Sequence, residues 1–216
     1  WQELVALETA HPELRTPDSP TLRIGAPLPK GSSLAQAEHL VPMLSLDSLM
    51  AADEARDFDQ RARKALGLAD DATLRWAVEP KFDGVSASLL YEHGELVRGL
   101  SRGDGALGED VTHNLRTIRS LPLRLRGEGP FPARVEVRGE VIFSKPAFEV
   151  LRAHSETSAD TPFRNARNTA AGTLKLLDPQ VVAKRGLEFI AWGVGHAEGL
   201  APPTYSGLHA ALAGFG

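Results

Sequence analysis

Glu79-Pro80-Lys81-Phe82-Asp83-Gly84-Val85-Ser86-Ala87-Ser88-Leu89-Leu90-Tyr91 is the stretch on which the reading of this chain turns. Side chains alternate faces along a strand, so a strand over Leu74–Phe82 would place Glu79, Lys81 and Asp83 on one face and Trp76, Val78 and Phe82 on the other. Pro80 supplies no ladder donor, and Gly84 lets a bulky group approach the backbone. A lysine between two carboxylates can form a cross-face salt bridge. It can also be a nucleophilic amine, whose pKa must fall by burial or nearby cations before its lone pair attacks. The residue pattern leaves both readings open.

Outward from this stretch, strands dominate. Val85–Tyr91 and Glu95–Ser101 read as two strands joined by a hairpin turn at His93-Gly94, and Val135–Phe143 alternates in the same way. Pro146 opens a helix through Phe148 and Leu151, Asn165–Leu177 reads as a helix, Glu188–Val194 as a strand and Gly207–Ala213 as a short helix. Upstream, Leu4, Val5 and Glu8 follow Trp1 as the end of an amphipathic helix. His11–Lys30 holds Pro12, Pro17, Pro20, Pro27 and Pro29 and is predicted to be an extended connector. Between Asp47 and Leu66, Phe58, Ala62 and Ala65 recur at helical spacing, with Gly67 as the stop. Hairpin-linked strands interspersed with helices predict an α+β fold with mainly antiparallel sheet.

At 216 residues, 42% of them hydrophobic, the chain can bury one large core. Its apolar runs are too short to span a bilayer, and without cysteine it has no disulfide or thiolate chemistry. A cytoplasmic protein with no membrane association is expected. The net charge of -4 is unevenly spread. Residues 1–72 carry twelve acidic against seven basic side chains, whereas Asn114–Arg138 carries six arginines against Glu128 and Glu136. Such a basic stretch is either a solvated surface or a face for phosphates.

Two further groups bear on chemistry. Ser101-Arg102-Gly103-Asp104-Gly105 is either a plain glycine turn or a flexible loop presenting an arginine to a phosphate or ribose. On Val135–Phe143, Glu136, Arg138 and Glu140 share a face opposite Val135, Val137 and Val141. They form an ion network, or they bind a ribose hydroxyl or a divalent cation.

Taken in order, Lys81-Phe-Asp-Gly84, Arg102-Gly-Asp-Gly105 and Arg138-Gly-Glu140 resemble the covalent nucleotidyltransferases, which comprise DNA ligases, RNA ligases and mRNA capping enzymes. More of the chain narrows the resemblance to bacterial NAD-dependent DNA ligases. These further stretches are His11-Pro-Glu-Leu-Arg-Thr-Pro-Asp-Ser-Pro-Thr21, His39-Leu-Val-Pro-Met-Leu-Ser-Leu-Asp47, Gly105–Leu123 and Phe163–Asp178. ATP-dependent relatives usually carry arginine two residues after the motif glycine, where this chain has Ser86.

The resemblance implies the nucleotidyltransferase fold, with residues 1–33 as the last helix of an N-terminal domain plus linker and 34–216 as an adenylation domain truncated at its C-terminal end. It implies that Lys81 attacks NAD and holds AMP, with Mg²⁺ assisting through ligands the sequence does not name, so that the parent ligase seals nicks in duplex DNA as a monomer. Glu79 would accept from the adenine amino group, Ser45 and Leu46 would line the adenine end, and Trp192 would stack on the base. Arg102 would meet the ribose and phosphate, and Glu140 would hold the ribose or help place the metal. Arg167 and Lys175, eight residues apart on one helix, would engage phosphate or the DNA backbone. Lys175 stands where arginine is usual, and Asp47-Ser48-Leu49 departs from the commoner Asp-Asn-Ala. The later lysine motifs fall beyond Gly216, so the chain alone is expected to react slowly with NAD. The rival readings are a silent nucleotide- or DNA-binding piece of the same fold and an ATP- or GTP-dependent RNA ligase or capping-type enzyme.

Overall fold

The computed structural model describes residues 2–16, 18–22, 33–69, 71–127, 130–157, 162–202 and 204–216. The chain divides into two compact units, one of residues 1–43 with 82–216 and a smaller one of residues 44–81.

The larger unit opens with helix α1 (Gln2–Ala10) and a short strand β1 (Gln36–Glu38). After the smaller unit's helix α2 (Ala52–Ala65) come β2 (Val85–Glu92), β3 (Glu95–Ser101), β4 (Leu107–Glu109) and the one-turn helix α3 (Thr112–Leu115). Then follow β5 (Arg134–Ile142), helices α4 (Lys145–Thr157), α5 (Ala166–Leu174) and α6 (Pro179–Arg185), strand β6 (Glu188–Glu198) and helix α7 (Tyr205–Gly214). The main sheet runs β3-β2-β5-β6 with every pair antiparallel, and β1 and β4 form a separate ribbon. The α+β expectation is met.

The β2–β3 hairpin closes where the sequence placed it. His93 and Gly94 take φ of 50° and 86°, the left-handed pair that matches strand twist in a two-residue turn. Along β2 and β5, Ala87, Leu89, Tyr91, Val135, Val137 and Val141 face one side and are buried. Leu115, Ile118, Leu121, Leu174 and Val182 pack in the same core cluster. Each such side chain contributes about 1.5–3 kcal/mol by leaving water, so this layer fixes the sheet. Asn114 stitches it to the helices by donating to the carbonyls of Leu174 and Leu176, each at 2.7 Å. Helix α5 starts at Asn165, whose side chain accepts from the Asn168 amide, and α6 starts at Asp178-Pro179 and stops at left-handed Gly186.

Three expectations are corrected. Leu74–Phe82 is irregular backbone, not a strand, and Val78 and Lys81 on it are exposed. Pro80 removes a ladder donor there, and among the described residues no strand pairs with it. The proline-rich connector is not extended up to Leu22: Pro12–Leu14 and Pro20–Leu22 are 3₁₀ turns. Buried Glu8 ties them to α1, accepting from Ser19, Thr21 and Arg15. The rest of that segment, like the 33/34 boundary's 31–32 side, lies outside the described residues. Finally, α5 ends at Leu174, so Lys175 is the residue just beyond the helix.

The smaller unit is built on α2. Glu54 accepts from the Met50 and Ala51 amides at its start, and Gly67 (φ 64°) follows its end. Trp76 returns to the helix, its ring 5.3 Å from Phe58 and its indole N–H donating to Asp59 at 2.8 Å. Arg63 pairs with Asp59 at 2.6 Å and donates to the Ala72 carbonyl at 2.6 Å. Hydrogen bonds and the Phe58–Trp76 ring contact hold this segment, and α2 has no buried residue.

Candidate functional site

Lys81 and Glu79 lie at the end of the smaller unit and Ser45 and Leu46 at its beginning, all four exposed on irregular backbone. Arg102, Glu140, Trp192, Arg167 and Lys175 belong to the larger unit.

Gly84 shows why a glycine follows Asp83. A Cβ there would stand 2.3 Å from the Val141 carbonyl oxygen and 2.9 Å from Cγ of Glu140. The bulky neighbour is thus the chain's own strand β5. Two residues on, Ser86 links two predicted site residues. Its hydroxyl donates to the Glu140 carboxylate at 2.9 Å, and its carbonyl accepts the Arg102 amide at 3.2 Å. Glu140 is buried on the sheet face opposite the core, in register with Ser86 on β2 and Ile190 on β6.

Arg102 follows β3 and is half-buried, with Nε 3.4 Å from the Met43 carbonyl. The loop after it is a closed turn rather than a flexible one. Gly105 donates to the Arg102 carbonyl at 3.0 Å, and the Asp104 carboxylate accepts from Leu107 at 2.8 Å and Ala106 at 2.9 Å. The Leu107 amide, then that of Ala106, holds the Asp104 carboxyl below its ordinary pKa. The turn keeps its acid ionised and its arginine rooted.

Trp192 sits at a bulge. Gly139 pairs with Ala191 and Arg138 with Gly193, so Trp192 is an extra residue in β6. A bulge re-aims a side chain. Trp192 stays partly exposed at 37% and is not among the side chains packed on the core cluster.

The two basic residues are spoken for. Arg167 lies 3.3 Å from Asp83, both exposed, and Lys175 pairs with Glu109. The exposed Arg167–Asp83 pair is of a kind typically worth about 0–1 kcal/mol, so Arg167 can exchange its partner, whereas Glu109 is half-buried and also bonded to Ser101.

Sequence reasoning left the Glu136–Arg138 pair undecided and gave no structural role to His39. Both turn out to be anchors. Arg138 Nε donates to Glu136 at 2.7 Å with both residues buried. His39, also buried, reaches Ser88 Oγ at 3.2 Å and the Arg102 carbonyl at 3.1 Å. The signal for Glu136 and Arg138 was their shared face. For His39 the signal was its place at the head of the His39–Asp47 stretch that carries the resemblance, which named no role for the side chain.

Among the described residues no three His, Cys, Asp or Glu side chains gather closely enough to hold a metal ion. Nor is any helix among them long and apolar enough to cross a membrane.

Comparison with known proteins agrees with the motif order. The family described as the NAD-dependent DNA ligase adenylation domain matches residues 31–216, and the DNA ligase-like, N-terminal NAD+-binding domain matches residues 1–25. The DNA ligase of Stutzerimonas stutzeri (strain A1501) is 48% identical over 225 residues, covering 100% of this chain and 28% of that protein. That of Pseudomonas aeruginosa (strain UCBPP-PA14) is 46% identical with the same coverage. The DNA ligase of Trichlorobacter lovleyi is 48% identical over 199 residues, 92% of this chain and 29% of that protein. The chain therefore spans less than a third of the length of these relatives. It belongs to the family of NAD-dependent DNA ligase adenylation domains.

Proposed function

We propose that this chain carries the nucleotide-transfer step of an NAD-dependent DNA ligase that seals nicks in duplex DNA, working as a cytoplasmic monomer. The observation that carries the reading is the set Glu79, Lys81, Asp83, Arg102 and Glu140, in family order, within a chain of that family. Lys81 Nζ, as the neutral amine, attacks the α-phosphorus of NAD. An N–P bond forms, the P–O bond to nicotinamide mononucleotide breaks, and the amine gives up its proton. AMP then passes to the 5′-phosphate of the nick.

The remaining residues bind and orient. Glu79 takes the adenine amino group, Ser45 and Leu46 the adenine edge, and Trp192 the ring face. Arg102 addresses the ribose and phosphate region, and Glu140 the ribose. Supporting this, Arg102 and Glu140 meet the same residue, Ser86. Ser86 also supports NAD over ATP, since ATP-dependent relatives usually carry arginine at that position. Residues 1–33 supply the end of a nicotinamide-recognising domain and 34–216 the adenylation domain. Mg²⁺ would be held mainly by phosphate oxygens and water, with Glu140 as the side chain that could help place it, and would offset negative charge on the phosphate. Arg167 and Lys175 contact the DNA backbone.

The test is intact mass spectrometry of a ligase of the relatives' full length carrying this segment, incubated with NAD or with ATP. An acid-labile AMP adduct on Lys81 from NAD is expected. An adduct from ATP alone overturns the cofactor assignment, and no adduct from either overturns the enzyme reading in favour of a silent binding domain.

A further inference from the structure

The face of the main sheet opposite the core carries charged side chains, and the segment His39–Met43 is strapped across it. A set of hydrogen bonds holds the strap. The Leu40 amide donates to Glu136 Oε2 at 3.2 Å, and His39 bridges Ser88 and the Arg102 carbonyl. Arg138 donates Nη1 to the Pro42 carbonyl at 3.2 Å and Nη2 to the Val41 carbonyl. The next carbonyl along, that of Met43, accepts from Arg102 Nε, while the Met43 amide donates to Gly105 at 2.8 Å.

Two features show that this clamp is specified. Glu136 occupies Nε of Arg138, leaving both Nη groups aimed at successive carbonyls, a task the planar guanidinium fork performs and a lysine ammonium does not. Opposite it, β6 carries a second bulge at Gly195, since Glu136 pairs with His196 and Val137 with Val194. A Cβ on Gly195 would lie 2.4 Å from Arg138 Nε and 2.5 Å from its Cζ. The guanidinium occupies the space that a side chain would fill.

We propose that Arg138 is a positioning residue for the adenylation reaction, acting through the strap. It fixes the carbonyls of Val41 and Pro42, and thereby that of Met43, against which the guanidinium of Arg102 is set. Arg138 does not touch the nucleotide. Its loss lets the strap shift, and Arg102 loses one of the acceptors that aim it. The inference rests on the reading of Arg102 as nucleotide-facing.

The experiment uses the full-length ligase carrying this segment. Arg138→Lys keeps the charge and removes the fork. Half-saturating NAD for adduct formation is expected to rise about tenfold, the scale of one misplaced hydrogen bond to a charged group, with the maximal rate little changed. Calorimetric NAD affinity in a Lys81→Ala background, where no turnover occurs, should weaken by the same factor. In an Arg102→Lys background Arg138→Lys should add nothing, because both changes act on one contact. If the two losses multiply instead, or if only the unfolding midpoint falls while NAD affinity holds, the inference is overturned. Should Arg138→Lys fail to fold, Gly195→Ala displaces the guanidinium with its charge intact and is read by the same criteria. A wild-type ligase that never labels Lys81 fails the functional reading itself. Normal labelling with NAD affinity indifferent to both variants fails this inference alone.

Discussion

Leu74–Phe82 and β2 stand on either side of Asp83-Gly84 and carry a similar alternation of apolar and polar side chains. Ala87 and Leu89 on β2 are 0% and 1% exposed, while Trp76 and Val78 on the other stretch are 47% and 92% exposed. The difference is partners. β2 lies between β3 and β5, so both rows of its backbone groups are paired and one face meets the core. Leu74–Phe82 has no ladder among the described residues and is held to α2 by Trp76. Alternation proposes a strand, and neighbours decide. The same contrast divides the proposed site residues, with Lys81 and Glu79 on irregular backbone, and Arg102 and Glu140 rooted in the sheet. Rigid scaffolds that carry reactive groups on less regular segments are common in enzymes.

The largest effect expected is on chemistry without stability. Lys81→Arg keeps a positive charge but removes an amine that can lose its proton, since arginine stays protonated. Adduct formation with NAD should fall below detection by mass spectrometry while the unfolding midpoint is unchanged, because Lys81 is exposed. A stable adduct on the variant would remove Lys81 from its role.

Stability should divide the regions the other way. Leu89→Ala opens a cavity beneath the sheet and is expected to cost about 3 kcal/mol, whereas Val78→Ala should stay within about 0.5 kcal/mol, both by urea denaturation. Equal costs would mean that Leu74–Phe82 is packed after all. Two glycines sharpen the contrast. Gly84→Ala sets a methyl against β5 backbone and should cost about 2–3 kcal/mol. Gly67→Ala, with nothing within 4 Å but φ at 64°, should cost about 1 kcal/mol from backbone strain alone.

These differences trace what the sequence could convey. The β2–β3 hairpin was legible because His93-Gly94 is local turn chemistry, and β5 because its valines alternate against charges. Helix α6 was missed although its signals were present, namely Asp178 and Pro179 at the start and Gly186 at the stop. The ribbon of β1 and β4 had no local signal, being three residues on each side paired across the chain. At the site, motif order named Lys81, Arg102 and Glu140. The clamp of Arg138 on Val41 and Pro42 joins residues nearly a hundred positions apart, and no local pattern encodes it.

A smaller effect is expected at the two cations of the sheet unit. Arg167→Ala and Lys175→Ala should each weaken binding to nicked duplex DNA and lower the slope of log affinity against log salt by about one. Because Asp83 and Glu109 already neutralise them, Glu109→Gln should act in the opposite direction and tighten binding. Unchanged slopes in fluorescence-anisotropy titrations would leave both as surface residues.

The smallest effect concerns what keeps the 44–81 unit folded. Arg63 first, and Trp76 second, hold the Asp59 carboxyl below its ordinary pKa. A carboxyl whose folded pKa is depressed contributes stability above its unfolded pKa, near about 3.9, and loses it as pH falls through the folded value. Acid below about pH 4 should therefore release Trp76 from α2 while the sheet persists. With Trp1 and Trp192 replaced by phenylalanine, Trp76 is the sole reporter, because the chain has three tryptophans. Its emission should shift to the red on acidification, with the far-ultraviolet signal of the sheet retained. Asp59→Asn still accepts from the indole but cannot pair with Arg63 as an anion, so the variant should show part of that shift already at neutral pH and no further step from this carboxyl. If the two signals change together, the smaller unit is not held separately, and the tie between Asp59, Arg63 and Trp76 is incidental to it.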